Sequence, residues 1–414
     1  MRVLFYGNNG NIGYRITQWL REKGIDAHLF IPCKENSPRS YPEWENPKLK
    51  GNYPEWIHLY DPPRFIPTKL FIDNIRDFIK GWIFIFSLHH LKRFKPRKSL
   101  LKKVDSYDII LTTGTHIVEI LYVDKPVIFL PIGRDMTQVP FQSESFQKEL
   151  FSYLYRQRIG RVEKIITCQE DIIWAAKLLK VGNKISRLPG LFVDVHEIEK
   201  QTDREFFATI KQKYDRYDYV FLNTTRKNLD PNRVDYKGND KLLYAYKKFI
   251  ENQPEKKVIM LSGVHGHDVE SYKNLVQKLN LEEHIEYLEH LSLPYLHAYF
   301  SLPNAIVFDQ FTYNKNNLNG TQREALAFGK ITVSSTDISS EIFQKAYGPG
   351  CPLMTASSAE EIFQAMLELS SLNKKELEKK AAEVRQWTFR YLHWESRIDE
   401  LIAVLKETKD RFKK

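Results

Sequence analysis

The opening stretch, "RVLFYGNNGNIGYRITQWLREKGIDAHLFIP", constrains the fold more than any other part of the chain. A short apolar run, "RVLFYG", ends in a turn rich in glycine and asparagine. A helical pattern follows and stops at Gly24, and a second apolar run begins at Asp26. A strand, a glycine turn, a helix and a strand start a doubly wound sheet. The later apolar runs "YDIILTTG", "PVIFLPIG" and "KIITCQ" read as parallel strands buried on both faces. Between the second run and these lie a loop over residues 34 to 64 and a helical, aromatic and then basic segment over residues 70 to 104.

The pattern breaks at "RLPGLFVDVHEIEK" and restarts at "YVFLNTT". Helix patterns in "LLYAYKKFI", "YKNLVQKLN" and "LPYLHAYFSL" then alternate with strands in "KKVIMLSG", "IEYLEH" and "NAIVFDQ". Two α/β series of similar size predict two Rossmann-like domains facing each other across a cleft. The boundary is placed between Leu191 and Asp194, giving domains of residues 1–193 and 194–385. "RQWTFRYLHWESRIDELIAVL" reads as one amphipathic helix, with Trp387, Phe389 and Trp394 as packing residues.

The formal charge of +10 points to an anionic partner. The chain has no RNP or KH signature, so nucleic acid is not expected. Cys33, Cys168 and Cys351 are odd in number and far apart, which suits a reducing compartment. "MRVLFYG" starts a strand at once, and no apolar run nears the ~20 residues of a membrane span. A cytoplasmic protein is expected.

Four segments of the second series fall where strand ends meet helix starts, the ligand edge of such sheets. Arg226, Lys227, Arg233 and Lys237 crowd the loop "TTRKNLDPNRVDYKGND". Cationic side chains at a helix start suit a diphosphate, although a solvated basic loop has the same composition. "SGVHGHD" is a glycine turn containing Gly263, and its His265 and His267 lack a complete ligand set, so no metal is expected. "EYLEHLS" is the third segment, and "FDQF" with "NGTQREALAFGKITVSS" the fourth. In the last, Thr321-x-x-Glu324 fits a capping box, the plain structural explanation for a carboxylate in a first turn.

These segments, in this order, resemble the GT-B glycosyltransferases, and more closely the retaining nucleotide-sugar transferases of glycosyltransferase family four. The resemblance covers about residues 218 to 400 and, more loosely, the first half. It implies that Glu324 holds the donor ribose hydroxyls and that Lys237 contacts the diphosphate. Arg226 is the better placed candidate for the arginine partner, and Arg233 the other. Gly263 falls in the phosphate-side glycine turn. Gly320, Thr321 and Gln322 would offer backbone N–H groups to phosphate at the helix start. Where the family has an acidic residue eight positions before Glu324, this chain has Asn316. The nearest upstream carboxylate is Asp309.

In the first half, "GNNGNIG" resembles the family's first glycine loop, with Gly10 and Asn11 near the donor. A dinucleotide site is disfavoured, because no acidic residue ends "DAHLFIPC". His116 follows a strand end where related enzymes carry a histidine near the transferred sugar. Asp135, in "PIGRD", is the second candidate catalytic residue. "HWESR" resembles the segment where the last helix crosses back, so residues 386–414 would complete the first domain.

The expected activity moves a sugar from a nucleotide diphosphate sugar to a glycan or lipid-linked acceptor hydroxyl, with no cofactor, in polysaccharide or glycoconjugate synthesis. The alternatives are a nucleotide-sugar epimerase of the same fold and a noncatalytic basic membrane-binding protein. Residues 78 to 103, "FIKGWIFIFSLHHLKRFKPRKSLLKK", join an aromatic patch to a basic run. That pairing suits peripheral contact with an anionic membrane at its inner face. The same pattern also fits a buried core next to a solvated face.

Overall fold

The computed structural model describes residues 1–33, 37–61, 98–120, 123–188, 192–200, 202–233, 235–289, 291–312 and 316–412. The chain divides into two compact units. Unit 1 is Met1–Thr167, Asp171–Gly190 and Glu400–Lys414, and unit 2 is Cys168–Glu170 and Leu191–Asp399.

In unit 1, the strands are β1 (Arg2–Tyr6), β2 (Asp26–Pro32), β3 (Ile57–Tyr60), β4 (Ile109–Thr113), β5 (Val127–Leu130), β6 (Lys164–Ile166) and β7 (Ile185–Ser186). They pair in parallel in the order β3-β2-β1-β4-β5-β6-β7. β1, β4 and β5 are buried nearly throughout because helices cover both faces. Fully burying an aliphatic or aromatic side chain contributes roughly 1.5–3 kcal/mol. Leu4, Ile110 and Phe129 are such side chains in one core cluster.

β3 falls inside the stretch that the sequence pattern assigns to a loop. It is four residues long, sits at the sheet edge, and alternates buried Ile57 and Tyr60 with partly exposed His58 and exposed Leu59. A strand this short carries too little periodicity to register. Residues 78–97 of the aromatic and basic segment lie outside the described residues. Its end forms a helix, Lys98–Asp105, with Lys102 and Lys103 exposed.

In unit 2, β8 (Tyr219–Asn223), β9 (Val258–Gly263), β10 (Ile285–Leu288), β11 (Ala305–Phe308), β12 (Thr332–Ser334) and β13 (Met354–Thr355) form a second parallel sheet, ordered β10-β9-β8-β11-β12-β13. The two Rossmann-like units match the expected fold class. In each sheet the strand order reverses beside the first strand of the series. The chain therefore leaves β1 and β4, and likewise β8 and β11, in opposite directions and opens a crevice at their C-terminal ends.

The C-terminal amphipathic stretch is two helices, Lys374–Tyr391 and Trp394–Phe412. Leu392 and His393 leave helical geometry to pair with Val193 through a parallel bridge. Val193 N–H donates to Leu392 O at 3.1 Å, and Trp394 N–H donates to Val193 O at 3.0 Å. Trp387 and Trp394 are buried, as expected of packing residues. Phe389 is instead 44% exposed and stacks on His393 at 4.9 Å. The last helix ends within unit 1, where Lys409 Nζ donates to Asp108 at 2.9 Å.

Candidate functional site

The crevice of unit 2 is built from three loops tied by backbone bonds. Lys227 N–H donates to His265 O (2.7 Å), Asp268 N–H to Lys227 O (2.9 Å), and Phe311 N–H to Lys237 O (2.9 Å). The Asn223 amide, at the end of β8, donates to Phe308 O at 2.8 Å and joins the two strands that flank the switch. Glycine is required at Gly238, whose φ is +68° and where a Cβ would lie 2.6 Å from Phe311 O. Gly263 closes β9, where a Cβ would lie 3.3 Å from the Thr224 backbone.

Within this frame the four basic residues separate into different roles. Lys227 is fully buried. It donates to the Asn223 side chain, lies 3.5 Å from Asn239 Oδ1, and sits 4.7 Å over the Tyr272 ring. Burial drives its pKa down to about 7. It braces the loop from inside and is no part of a solvated cluster. Arg233 is paired to Asp235 at 3.1 Å. Arg226 is exposed. Although burial raises the Asp235 pKa, the bond from Arg233 and the charges of Arg233 and Arg226 hold it below the usual carboxylate value. Lys237 is half-buried, with Nζ 2.7 Å from Gln310 Oε1.

Lys227 gives a stability prediction with a definite sign. In the unfolded chain its pKa is about 10.4. Between pH 7 and that value the unfolded state holds the proton that the folded state has lost. Stability therefore rises with pH across this window, by at most about 1.4 kcal/mol per pH unit. Urea unfolding at pH 7, 8 and 9 should show wild-type stability rising with pH, relative to that of Lys227→Met, by up to about that slope. Equal pH slopes would contradict the buried amine.

The Gly320–Ala327 helix changes the reading of Glu324. Its capping box is formed by Asn319 and Gln322, with Asn319 Oδ1 accepting from Gln322 N–H and Gln322 Oε1 accepting from Asn319 N–H, both at 3.0 Å. The predicted box of Thr321 with Glu324 is not the one formed. Asn319 takes the cap because it also bonds the Asp309 carboxylate, which anchors it at the end of β11. The same geometry corrects Gln322. Its N–H is spent on the cap, and its buried side chain donates to Thr336 Oγ1 at 3.2 Å. The first-turn N–H groups of Gly320 and Thr321 have no intrahelical acceptor. Glu324 is 9% exposed, one turn further on, with Oε2 3.9 Å from His297 Nε2. Asp309 is buried, and burial raises its pKa against the Asn319 bond and the Lys237 charge. Asn316 points its amide at Glu170 Oε2, 2.6 Å away.

The crevice of unit 1 holds the other candidates. Asn11 adopts φ 58° and is fully buried; its amide donates to Tyr41 O (3.0 Å) and accepts from Asn8 (2.7 Å). Asn8 in turn donates to Ser40 O and accepts from Tyr14 N–H. The side chains of Asn8 and Asn11 are therefore internal ties of this loop. Gly10, with φ +59° and open space around it, is the exposed tip. A Cβ on Gly7 would overlap the His116 ring, so the glycine loop lies directly against His116. His116 is 6% exposed, with Nδ1 3.0 Å from Glu119 Oε1. Asp135 is 5% exposed and accepts from the N–H groups of Ile132 (3.0 Å), Gly133 (2.8 Å) and Gly114 (3.2 Å). Burial raises its pKa to about 6 against those donors. It clamps the loop after β5 to the loop that carries His116. Sequence reasoning missed Glu119, Tyr6 and Tyr60 in this group. The signal was a lone carboxylate within the apolar run "HIVEILYV".

No protein-family profile matches the chain, and no curated protein does. Solved structures do match. HepE from Anabaena, in complex with UDP and glucose, has a TM-score of 0.64 at 12% identity, covering 98% of this chain and 100% of that one. The chain has the GT-B fold. Sucrose-phosphate synthase from Thermosynechococcus elongatus shares the architecture, with a TM-score of 0.62, 13% identity and 98% coverage of both chains. A protein from Listeria monocytogenes assigned as a UDP-N-acetylglucosamine 2-epimerase gives 0.54 at 14% identity, covering 99% of this chain and 97% of that one. Among the described residues no group of His, Cys, Asp or Glu could hold a metal ion, and no helix is long and apolar enough to cross a membrane.

Proposed function

We propose that this GT-B chain is a glycosyltransferase whose unit 2 holds a nucleotide diphosphate sugar, with retention of configuration in the transfer. The observation that carries the reading is the Gly320–Ala327 helix. Its cap is supplied by Asn319 and Gln322, so capping does not account for Glu324. A carboxylate at that place suits a pair of ribose hydroxyls, which donate to it. Arg226, Lys237 and the N–H groups of Gly320 and Thr321 suit the diphosphate. Fixed positive groups of this kind stabilise a departing diphosphate because they need no reorganisation as charge develops. HepE, which shares the fold, was solved with UDP and glucose, and this supports a nucleotide-sugar donor.

A second reading, a nucleotide-sugar epimerase, is favoured by the Listeria neighbour. Product analysis separates the two. Incubation with donor alone should leave the sugar configuration unchanged, and adding an acceptor glycan should release nucleoside diphosphate with a new glycosidic bond. A 2-epimer formed from donor alone would select the epimerase.

The acceptor in this reading is a glycan or a lipid-linked hydroxyl at a membrane surface. The basis is the basic run Lys92 to Lys103, since each cation near anionic lipid is worth about 1 kcal/mol. Sedimentation with anionic liposomes at low salt should carry the protein down, and neutralising the run should abolish this. No binding at low salt would leave a soluble acceptor.

A further inference from the structure

We propose that Asn239 is the positioning residue of Arg226: its side chain holds the backbone turn that carries Arg226, so that the guanidinium stands at a fixed place for a diphosphate. The diphosphate rests on the glycosyltransferase reading, and the hold on the turn rests on unit 2 alone.

Asn239 is the first residue of the helix Asn239–Asn252, behind an N-cap of Gly238. Asparagine is a weak helix former, and this one is only 1% exposed, so its place needs another reason. Its amide supplies one. Nδ2 donates to Arg226 O at 2.8 Å. Oδ1 accepts from Thr225 Oγ1 at 2.8 Å and faces Lys227 Nζ at 3.5 Å. The Arg226 carbonyl can only accept, which fixes the orientation of the amide. Arg226 O also accepts from Asn228 N–H at 3.1 Å, closing the turn from Arg226 to Asn228. One side chain thus ties Thr225, Arg226 and Lys227 to the start of the next helix.

The glycine turn holds the same segment from its other side. Lys227 N–H donates to His265 O, and Asp268 N–H donates to Lys227 O. The buried Asn228 side chain accepts from His267 N–H at 3.0 Å and donates to Asp235 O at 3.1 Å. Asn223, Lys227, Asn228 and Asn239 are each at most 1% exposed. Polar groups buried in this way cost stability unless they are partnered, and these are. Arg226 is the exception in the segment. It is exposed, and among the described residues its guanidinium enters no hydrogen bond or ion pair. Asp235, whose pKa it helps to lower, is engaged by Arg233 at 3.1 Å. A braced turn that carries an uncommitted cation suits an anion, because the ordering is done before the ligand arrives.

Two variants test this. Asn239→Ala removes the whole amide. Asn239→Asp keeps its volume and the acceptor for Thr225 and Lys227 and loses the donor to Arg226 O, so it carries the test if the alanine variant does not fold. Without ligand, amide hydrogen exchange at Lys227 should be faster in either variant than in wild type, while the amides of β10 keep their rates. With ligand, titration calorimetry uses whichever of UDP, GDP, ADP and TDP binds wild type, and its nucleoside. Either variant should weaken the nucleoside diphosphate about 3- to 10-fold, the range of one net hydrogen bond, and leave the nucleoside unchanged. In an Arg226→Ala background the same change should cost less than about twofold, because the cation it positions is gone. Unchanged exchange in a folded variant, an equal loss for the nucleoside, or a loss of full size in the Arg226→Ala background overturns the proposal. If wild type binds no nucleoside diphosphate, the functional reading falls instead, and the exchange measurement still decides whether Asn239 holds the turn.

Discussion

Glu324→Ala is expected to weaken binding of a nucleotide diphosphate sugar by roughly 10- to 150-fold, the equivalent of about 1.5–3 kcal/mol of charge-assisted hydrogen bonding. The fold should survive, because the helix start is capped by Asn319 and Gln322. Glu324→Gln retains one acceptor oxygen and should fall between wild type and alanine. Circular dichroism establishes folding, and titration calorimetry measures the affinity. An unchanged affinity in a folded Glu324→Ala protein would remove the ribose role and leave the His297 contact, at 3.9 Å, as the residue's purpose.

Removing either diphosphate cation should produce a loss of similar size but of different selectivity. Arg226→Ala and Lys237→Ala should each weaken nucleoside diphosphate binding by roughly tenfold or more while leaving nucleoside binding nearly intact. The two side chains reach the same loop system by different routes. Arg226 is exposed, whereas Lys237 is held beside Gln310 and next to Asp309. Arg233→Ala should matter less, because Arg233 is engaged by Asp235. If Arg233→Ala is the damaging change, the loop's roles are shifted by seven residues. Equal effects on diphosphate and nucleoside would end the phosphate assignment.

Much of this architecture was legible because its strands are long apolar runs set between helical periodicities. β1, β8 and β9 could be read from composition alone. What escaped was set by partners distant in sequence. β3 exists because β2 offers it an edge, and nothing within "IHLY" announces a strand. The helix break at Leu392–His393 exists because Val193 pairs there, 200 residues upstream.

The site divides in the same way. The loops that carry Arg226, Lys237, Gly263 and Glu324 were visible as punctuation between strand and helix. Their side-chain assignments were not. Whether a lysine is buried, as Lys227 is, or an asparagine is an internal tie, as Asn11 is, depends on what the other loops bring to it. Asn319 displaced Thr321 as the cap because Asp309 was there to hold it, a contact that local sequence does not encode.

The central claim is that unit 2 binds a nucleotide diphosphate sugar. The most direct measurement is titration calorimetry of the whole chain against UDP, GDP, ADP and TDP and their glucose conjugates, with thermal unfolding alongside. At least one nucleoside diphosphate should bind at a single site and raise stability, by about 2.7 kcal/mol at a hundred times its dissociation constant. That binding should weaken at least about tenfold in Glu324→Ala and in Lys237→Ala. No heat and no stabilisation from any of these ligands, in wild-type protein shown to be folded, would contradict the account.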